Sequence, residues 1–137
     1  MSVTGGDITE IRCNHPTLGS SVYNPKASED STFDPGGYRT DDDLDSITGN
    51  GEAIYKVNNK RPFFEVVCAV DMNERNEFQG TLTNLAQSDQ EGDWIISHIN
   101  GTVQGFKGKP VGDLQWNGNA STFTLKISGG NRMRKIA

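Results

Sequence analysis

The usual carriers of catalytic and metal-binding chemistry are scarce in this sequence. There are two cysteines, Cys13 and Cys68, with no CxxC and no Cys/His ligand spacing, which excludes the common zinc and dithiol motifs. Both lie in apolar, strand-like runs and read as buried free thiols. The two histidines, His15 and His98, stand alone. Ser97 and His98 are adjacent on a predicted strand, so they point to opposite faces and do not form a nucleophile–base pair. No apolar run approaches the roughly 18 residues that span a membrane. No apolar N-terminal targeting segment is present either, so synthesis in a cytoplasm is expected. The sequons Asn100-Gly101-Thr102 and Asn119-Ala120-Ser121 therefore read as chance matches. Gly5-Gly6 and Gly129-Gly130 do not sit between a strand and a helix, which excludes a phosphate loop.

Basic charge is also sparse. The only dense cluster is Arg132, Arg134 and Lys135, in a chain of net charge −5. Duplex DNA carries about one negative charge per 1.7 Å, so gripping it needs a basic stripe that this chain lacks. Large apolar residues are few, at 33% hydrophobic content, whereas glycine is plentiful at 16 of 137 residues. A chain of this length forms one domain (1–137) and can bury nearly 70% of its unfolded surface. The composition fits an all-β domain with many turns, or one that completes its burial in an oligomer.

Charge and turn residues are unevenly placed. Residues 1–52 hold ten acids and three bases; residues 53–137 hold eight acids and ten bases. Opposite halves of this kind can attract each other between subunits. Strands are expected at 8–13 and 18–23, then at 52–58 and 61–71, and finally near 93–99, 101–106, 110–116 and 120–128. In the run at 61–71, Phe64, Val66, Cys68 and Val70 share one face. A helix is expected over 73–88, with Asn73 as N-cap, Glu74 and Glu77 in its first turn, and Phe78, Leu82, Leu85 and Ala86 on one side. Residues 24–51 read as a long extended loop with few large apolar residues, and loops of that length are usually functional or disordered. The predicted fold is mainly β: an antiparallel β-sandwich or barrel with one packed α-helix and this long loop.

Two groupings invite a ligand. Asp41, Asp43, Asp45 and Glu52 occupy positions 1, 3, 5 and 12 of a calcium loop. Position 6 is Ser46 where a glycine is needed, and no helices flank the run, so a solvated acidic loop, or one that meets bases of a neighbour, is the better reading. Trp94, Trp116, Tyr23, Tyr38 and Tyr55 could form a sugar platform, but scattered aromatics in a β domain usually anchor a core or an interface. No catalytic grouping, cofactor site or metal site is expected, and no enzymatic activity.

The chain resembles the tail tube proteins of bacteriophages. The likeness rests on Gly5-Gly6-Asp7-Ile8-Thr9-Glu10-Ile11 with Asn14-His15-Pro16, on the Phe63-to-Asp71 strand followed by its helix, and on Asn100-Gly101-Thr102-Val103 through Gly108-Lys109-Pro110-Val111-Gly112-Asp113 to Gly129-Gly130. The resemblance implies a small β domain that assembles into stacked hexameric rings in the virion tail, made first in the host bacterial cytoplasm. Its partners would be further copies of itself and other tail proteins such as sheath, tape measure, baseplate or terminator. No membrane would be involved, and DNA would pass through without specific binding. The 24–51 segment would reach an adjacent subunit, with Phe33, Asp34, Tyr38, Arg39, Leu44 and Ile47 as contact candidates. A globule of this size is about 37 Å across; six in a ring leave a hole of similar width. Asp41, Asp42, Asp43, Asp45, Asp89, Glu91 and Asp93 are candidates for an acidic, non-stick lumen. The related tube of a contractile injection or type VI secretion system is an alternative, as is a monomeric β-sandwich ligand-binding module.

Overall fold

The computed structural model describes residues 6–40, 46–71, 75–119 and 121–136. The strands run in the order β1 (Ile8–His15), β2 (Gly19–Pro25), β3 (Ser31–Asp34), β4 (Gly37–Thr40), β5 (Ser46–Ile47), β6 (Ala53–Ile54), β7 (Val57–Lys60) and β8 (Phe63–Ala69). The helix α1 (Arg75–Gln87) follows, then β9 (Gly92–His98), β10 (Val103–Pro110), β11 (Trp116–Asn117), β12 (Thr122–Gly129) and β13 (Arg134–Lys135).

Six antiparallel strands close on themselves in the order β12-β10-β9-β1-β2-β8, with β8 returning to β12. The long seams are β8 with β12, from Ala69↔Thr122 to Phe63↔Ser128, and β1 with β9, which carries a bulge between Ile8 and Glu10. The closing seams are short. β2 meets β8 only at Asn24↔Ala69 and Pro25↔Cys68, and β10 meets β12 at three residues, Gly108 to Pro110. At that second seam a Cβ on Gly129 would lie 1.8 Å from the Lys107 carbonyl oxygen, so only glycine permits the approach. β3, β11 and β13 are appended to β8, β12 and β10. The architecture is thus a mainly-β barrel with extra strands and one helix.

The period-two reading of the central strand describes its packing. Phe64, Val66 and Cys68 of β8, and Val70 just beyond it, are all buried. They meet Ile11 and Cys13 of β1, Trp94 and Ile96 of β9, and Leu125 and Ile127 of β12 in one core. Tyr23 stacks on Trp94 with ring centroids 5.8 Å apart, and Phe64 meets Phe106 edge-on at 5.7 Å. Such pairs add about 0.5–1.5 kcal/mol each beyond area burial. Trp94 also donates its indole N–H to the Gly108 carbonyl at 2.9 Å, so the ring enters the core with its one polar atom satisfied. The helix contributes Leu82 and Leu85 to the same core. Its threonines, poor helix formers, return their hydroxyls to the backbone: Thr81 to Glu77 O at 3.0 Å and Thr83 to Gln79 O at 2.8 Å. Glu77 lies in the first turn; Asn73 and Glu74 lie outside the described residues.

Three stretches differ from the sequence-based expectation. Residues 110–116 do not form a strand of their own. Strand β10 instead runs on to Pro110, Val111 N–H still bonds the Lys126 carbonyl of β12 at 3.0 Å, and the chain then turns through Gly112 at φ 74° before the two-residue β11. Residues 52–58 divide between β6 and β7. The 24–51 segment is not without regular structure: it supplies the end of β2 and all of β3, β4 and β5.

Candidate assembly surface

Residues 37–40 and 46–60 form an arm separate from the barrel. β4 pairs with β7 from Gly37↔Lys60 to Thr40↔Val57, and β5 pairs with β6 at Ser46↔Ile54 and Ile47↔Ala53. The second pair lies inside the first along the chain, so the pattern is a ribbon folded back on itself. Its tip is a Gly-Asn-Gly turn. Thr48 N–H bonds the Glu52 carbonyl at 2.8 Å, Gly51 N–H bonds the Thr48 carbonyl at 2.9 Å, and Glu52 N–H bonds the Thr48 hydroxyl at 3.0 Å. The Thr48 hydroxyl also bonds the Asn50 side-chain oxygen.

The root of the arm is held firmly. The Asp34 carboxylate accepts the Gly36 N–H at 2.9 Å and a guanidinium N–H of Arg39 at 2.5 Å. The Arg39 bond, and then the Gly36 bond, hold the Asp34 carboxyl below the usual carboxylate range. Gly36 takes φ 73°, and Met133 N–H bonds the Pro35 carbonyl at 2.8 Å.

The composition of the arm is at odds with its exposure. Tyr38 (77% exposed), Ile47 (73%), Tyr55 (64%), Ile54 (55%) and Val57 (55%) all face solvent. None of the described residues of the arm enters the core. A two-stranded ribbon is at best marginal in water by itself, and a run of uncovered apolar side chains on one marks a contact surface.

Of the predicted contact residues, Tyr38 and Arg39 lie on β4, Ile47 lies on β5 next to the tip, and Asp34 lies at the root. Phe33 does not belong to the arm. It is half-buried on β3, with its ring 6.1 Å from Phe64 and 5.7 Å from His98. Leu44 lies outside the described residues. Ile54 and Val57 escaped the sequence reading, and Tyr55 entered it only as a scattered aromatic, because residues 52–58 looked like a body strand. The available signal was the Gly49-Asn50-Gly51 turn between Ile47 and Ile54, which marks a hairpin.

The acids fall into two groups. Asp89, Glu91 and Asp93 are exposed where α1 gives way to β9. Asp41, Asp42, Asp43 and Asp45 lie outside the described residues, which leaves Glu52 alone of the calcium-loop set, exposed at the arm's tip. Among the described residues no three His, Cys, Asp or Glu side chains are grouped to hold a metal. No described helix is long and apolar enough to cross a membrane.

The aromatics do not form one platform. Tyr23 and Trp94 are core, Trp116 stacks on Phe123 at 4.4 Å, and Tyr38 and Tyr55 belong to the arm. His98 bonds the Gln104 side chain at 3.1 Å. His15 is buried as a clamp. Its Nδ1 accepts the Thr17 and Leu18 N–H groups, both at 3.1 Å, so Nε2 carries the proton and donates to the Gln90 carbonyl at 3.2 Å, beside the Ser88 hydroxyl at 3.0 Å. The ring thereby ties the β1–β2 turn to the segment between α1 and β9. Cys13 and Cys68 are buried free thiols, each pushed up to about 12 chiefly by desolvation.

No protein-family model matches this sequence, and comparison with curated proteins gives no match.

Proposed function

We propose that this chain is a structural subunit of a bacteriophage tail tube, which assembles into stacked rings around a conduit for DNA. The observation that carries the reading is the arm: a folded ribbon with five exposed apolar side chains, rooted by an ion pair on a closed barrel. Such an element has no use in an isolated molecule and a direct use in bridging to the next subunit. Its apolar side chains would be covered on assembly, and burying each one fully is worth about 1.5–3 kcal/mol. Each of the six barrel strands has a strand partner on either side, while β3 keeps one edge free for a neighbour in the ring. The exposed acids Asp89 and Glu91 suit a wall that repels phosphates. The hexameric count comes from the family resemblance alone.

Negative-stain electron microscopy of the purified protein over a concentration series, with mass measurement alongside, tests the reading. Rings or tubes with a central hole are expected. A protein that stays monomeric at every concentration, and does not extend preformed ring seeds, would count decisively against it.

A further inference from the structure

A furrow runs over the barrel from the root of the arm to the outer face of β10. It begins between Tyr38, Asn59 and Arg132, continues along Lys107, and ends beside Arg134 and Ile136. Its origin is a gap in strand pairing. On one side β10 is covered by β13 at Gln104 and Gly105 and by β12 from Gly108 onward, so Phe106 and Lys107 have no strand partner there. The barrel parts at that point, and Phe106 forms the floor.

The charge of the furrow runs against that of the chain. Arg12, Lys26 and Arg39 each pair with an acid of their own chain. Lys107, Arg132 and Arg134 are exposed and form no ion pair among the described residues. Among the described residues, the only acid lining the furrow is Asp93, opposite Lys107 in the β9–β10 register. Three unspent cations around one groove of a protein with net charge −5 call for an anionic occupant.

We propose that the furrow receives the acidic run Asp41-Asp42-Asp43-Leu44-Asp45 of a second copy of this chain. The inference rests on the tube reading and names the seat for the neighbour's arm. The run is the densest acidic stretch of the sequence and lies between β4 and β5, within the arm already assigned to contact. Two of the three cations are arginines, whose planar fork matches a carboxylate in two parallel hydrogen bonds. Ile136 and Tyr38 add apolar surface at the two ends of the furrow. Charge complementarity of this kind fixes register and speeds encounter, so it should set which subunits meet and at what salt concentration.

Charge-reversed variants of the full chain test the seat. Variant one carries Arg132→Glu and Arg134→Glu; variant two carries Asp41→Lys, Asp42→Lys and Asp43→Lys. Each alone should lose assembly while keeping the parent's melting behaviour. An equimolar mixture should recover it, because each run then faces a complementary furrow on the other variant. Wild-type assembly by either variant alone, or a mixture that stays unassembled, overturns the seat and leaves the tube reading standing. A wild type that never assembles overturns the tube reading instead. The furrow is then judged by fluorescence anisotropy of a labelled peptide spanning residues 39–47. Binding to the wild type that weakens at least tenfold in variant one supports the seat; no binding, or equal binding to both, overturns it.

Discussion

Gly36 lies against Pro62 so closely that a Cβ on Gly36 would stand 2.7 Å from the Pro62 nitrogen and 2.8 Å from the Lys60 carbonyl oxygen. The two residues sit where the chain leaves for the arm and where it returns. Their contact sets the direction in which the arm departs.

Gly36→Ala is therefore expected to destabilise the protein by about 1–3 kcal/mol. A left-handed backbone alone costs an L side chain roughly 1–2 kcal/mol, and the added methyl would meet backbone rather than a movable side chain. Urea unfolding measures the loss. An unchanged midpoint would show that the root relaxes freely and does not fix the arm.

The arm is expected to be dispensable for folding and necessary for assembly. Gly37 and Lys60 are register partners, so residues 38–59 can be replaced by an Asn-Gly turn without separating the ends. The shortened protein should melt close to the parent, because no described arm residue reaches the core, and should form no rings by electron microscopy. An excision of 28–49 would separate these effects less well, since it also removes β3 from β8. Normal tubes from the 38–59 replacement would remove the arm from the mechanism.

His15→Ala should cost about 1–3 kcal/mol, the usual penalty for stranding hydrogen-bond groups. It leaves the Thr17 and Leu18 N–H groups and the Gln90 carbonyl without their partner. His15→Asn restores an acceptor near the turn but is too short to reach Gln90, so it should recover only part of the loss. Equal stability of all three proteins in urea would mean that water replaces the ring at no cost.

The two thiols predict an alkaline limb. Each is raised from 9.0 to about 12, so the folded state holds protons that the unfolded state releases. Their stabilisation is complete below about pH 9 and is lost as pH rises toward 12, at roughly 1.4 kcal/mol per thiol per pH unit. Tyr23, raised from 10.0 to about 12, acts in the same direction above pH 10. Urea unfolding at pH 7, 9 and 10 should show the decline, and Cys13→Ala with Cys68→Ala should flatten it. Rapid modification of either thiol by a disulfide reagent in the native protein would contradict their burial.

The barrel was legible in the sequence where strands bury one face. The alternation Phe64, Val66, Cys68, Val70 marked the core side of β8, and Leu82 and Leu85 marked the buried side of α1. Alternation is visible because a strand's partner surface lies within the same chain. The arm was not legible on those terms. Tyr38, Ile47, Ile54 and Val57 bury against nothing in one molecule, so their spacing carries no inside-and-outside pattern. His15 was missed for a different reason. Its partners lie at Thr17 and Leu18 on one side and at Ser88 and Gln90 on the other, and the second pair is more than seventy residues away. The seam between β10 and β12 was hidden in the same way, since nothing local marks Gly129 as the residue that passes the Lys107 carbonyl.

The nested pairing of the arm has a kinetic consequence. All of its ladder contacts join residues within 37–60, whereas β1 meets β9, and β8 meets β12, across long stretches of chain. Local hairpins close in roughly 1–10 μs, while pairings between distant segments wait on the slow closure of large loops. The arm is therefore expected to close before the barrel does. On the tube reading, the lifetime of the closed ribbon would be set by the neighbouring surface that receives it.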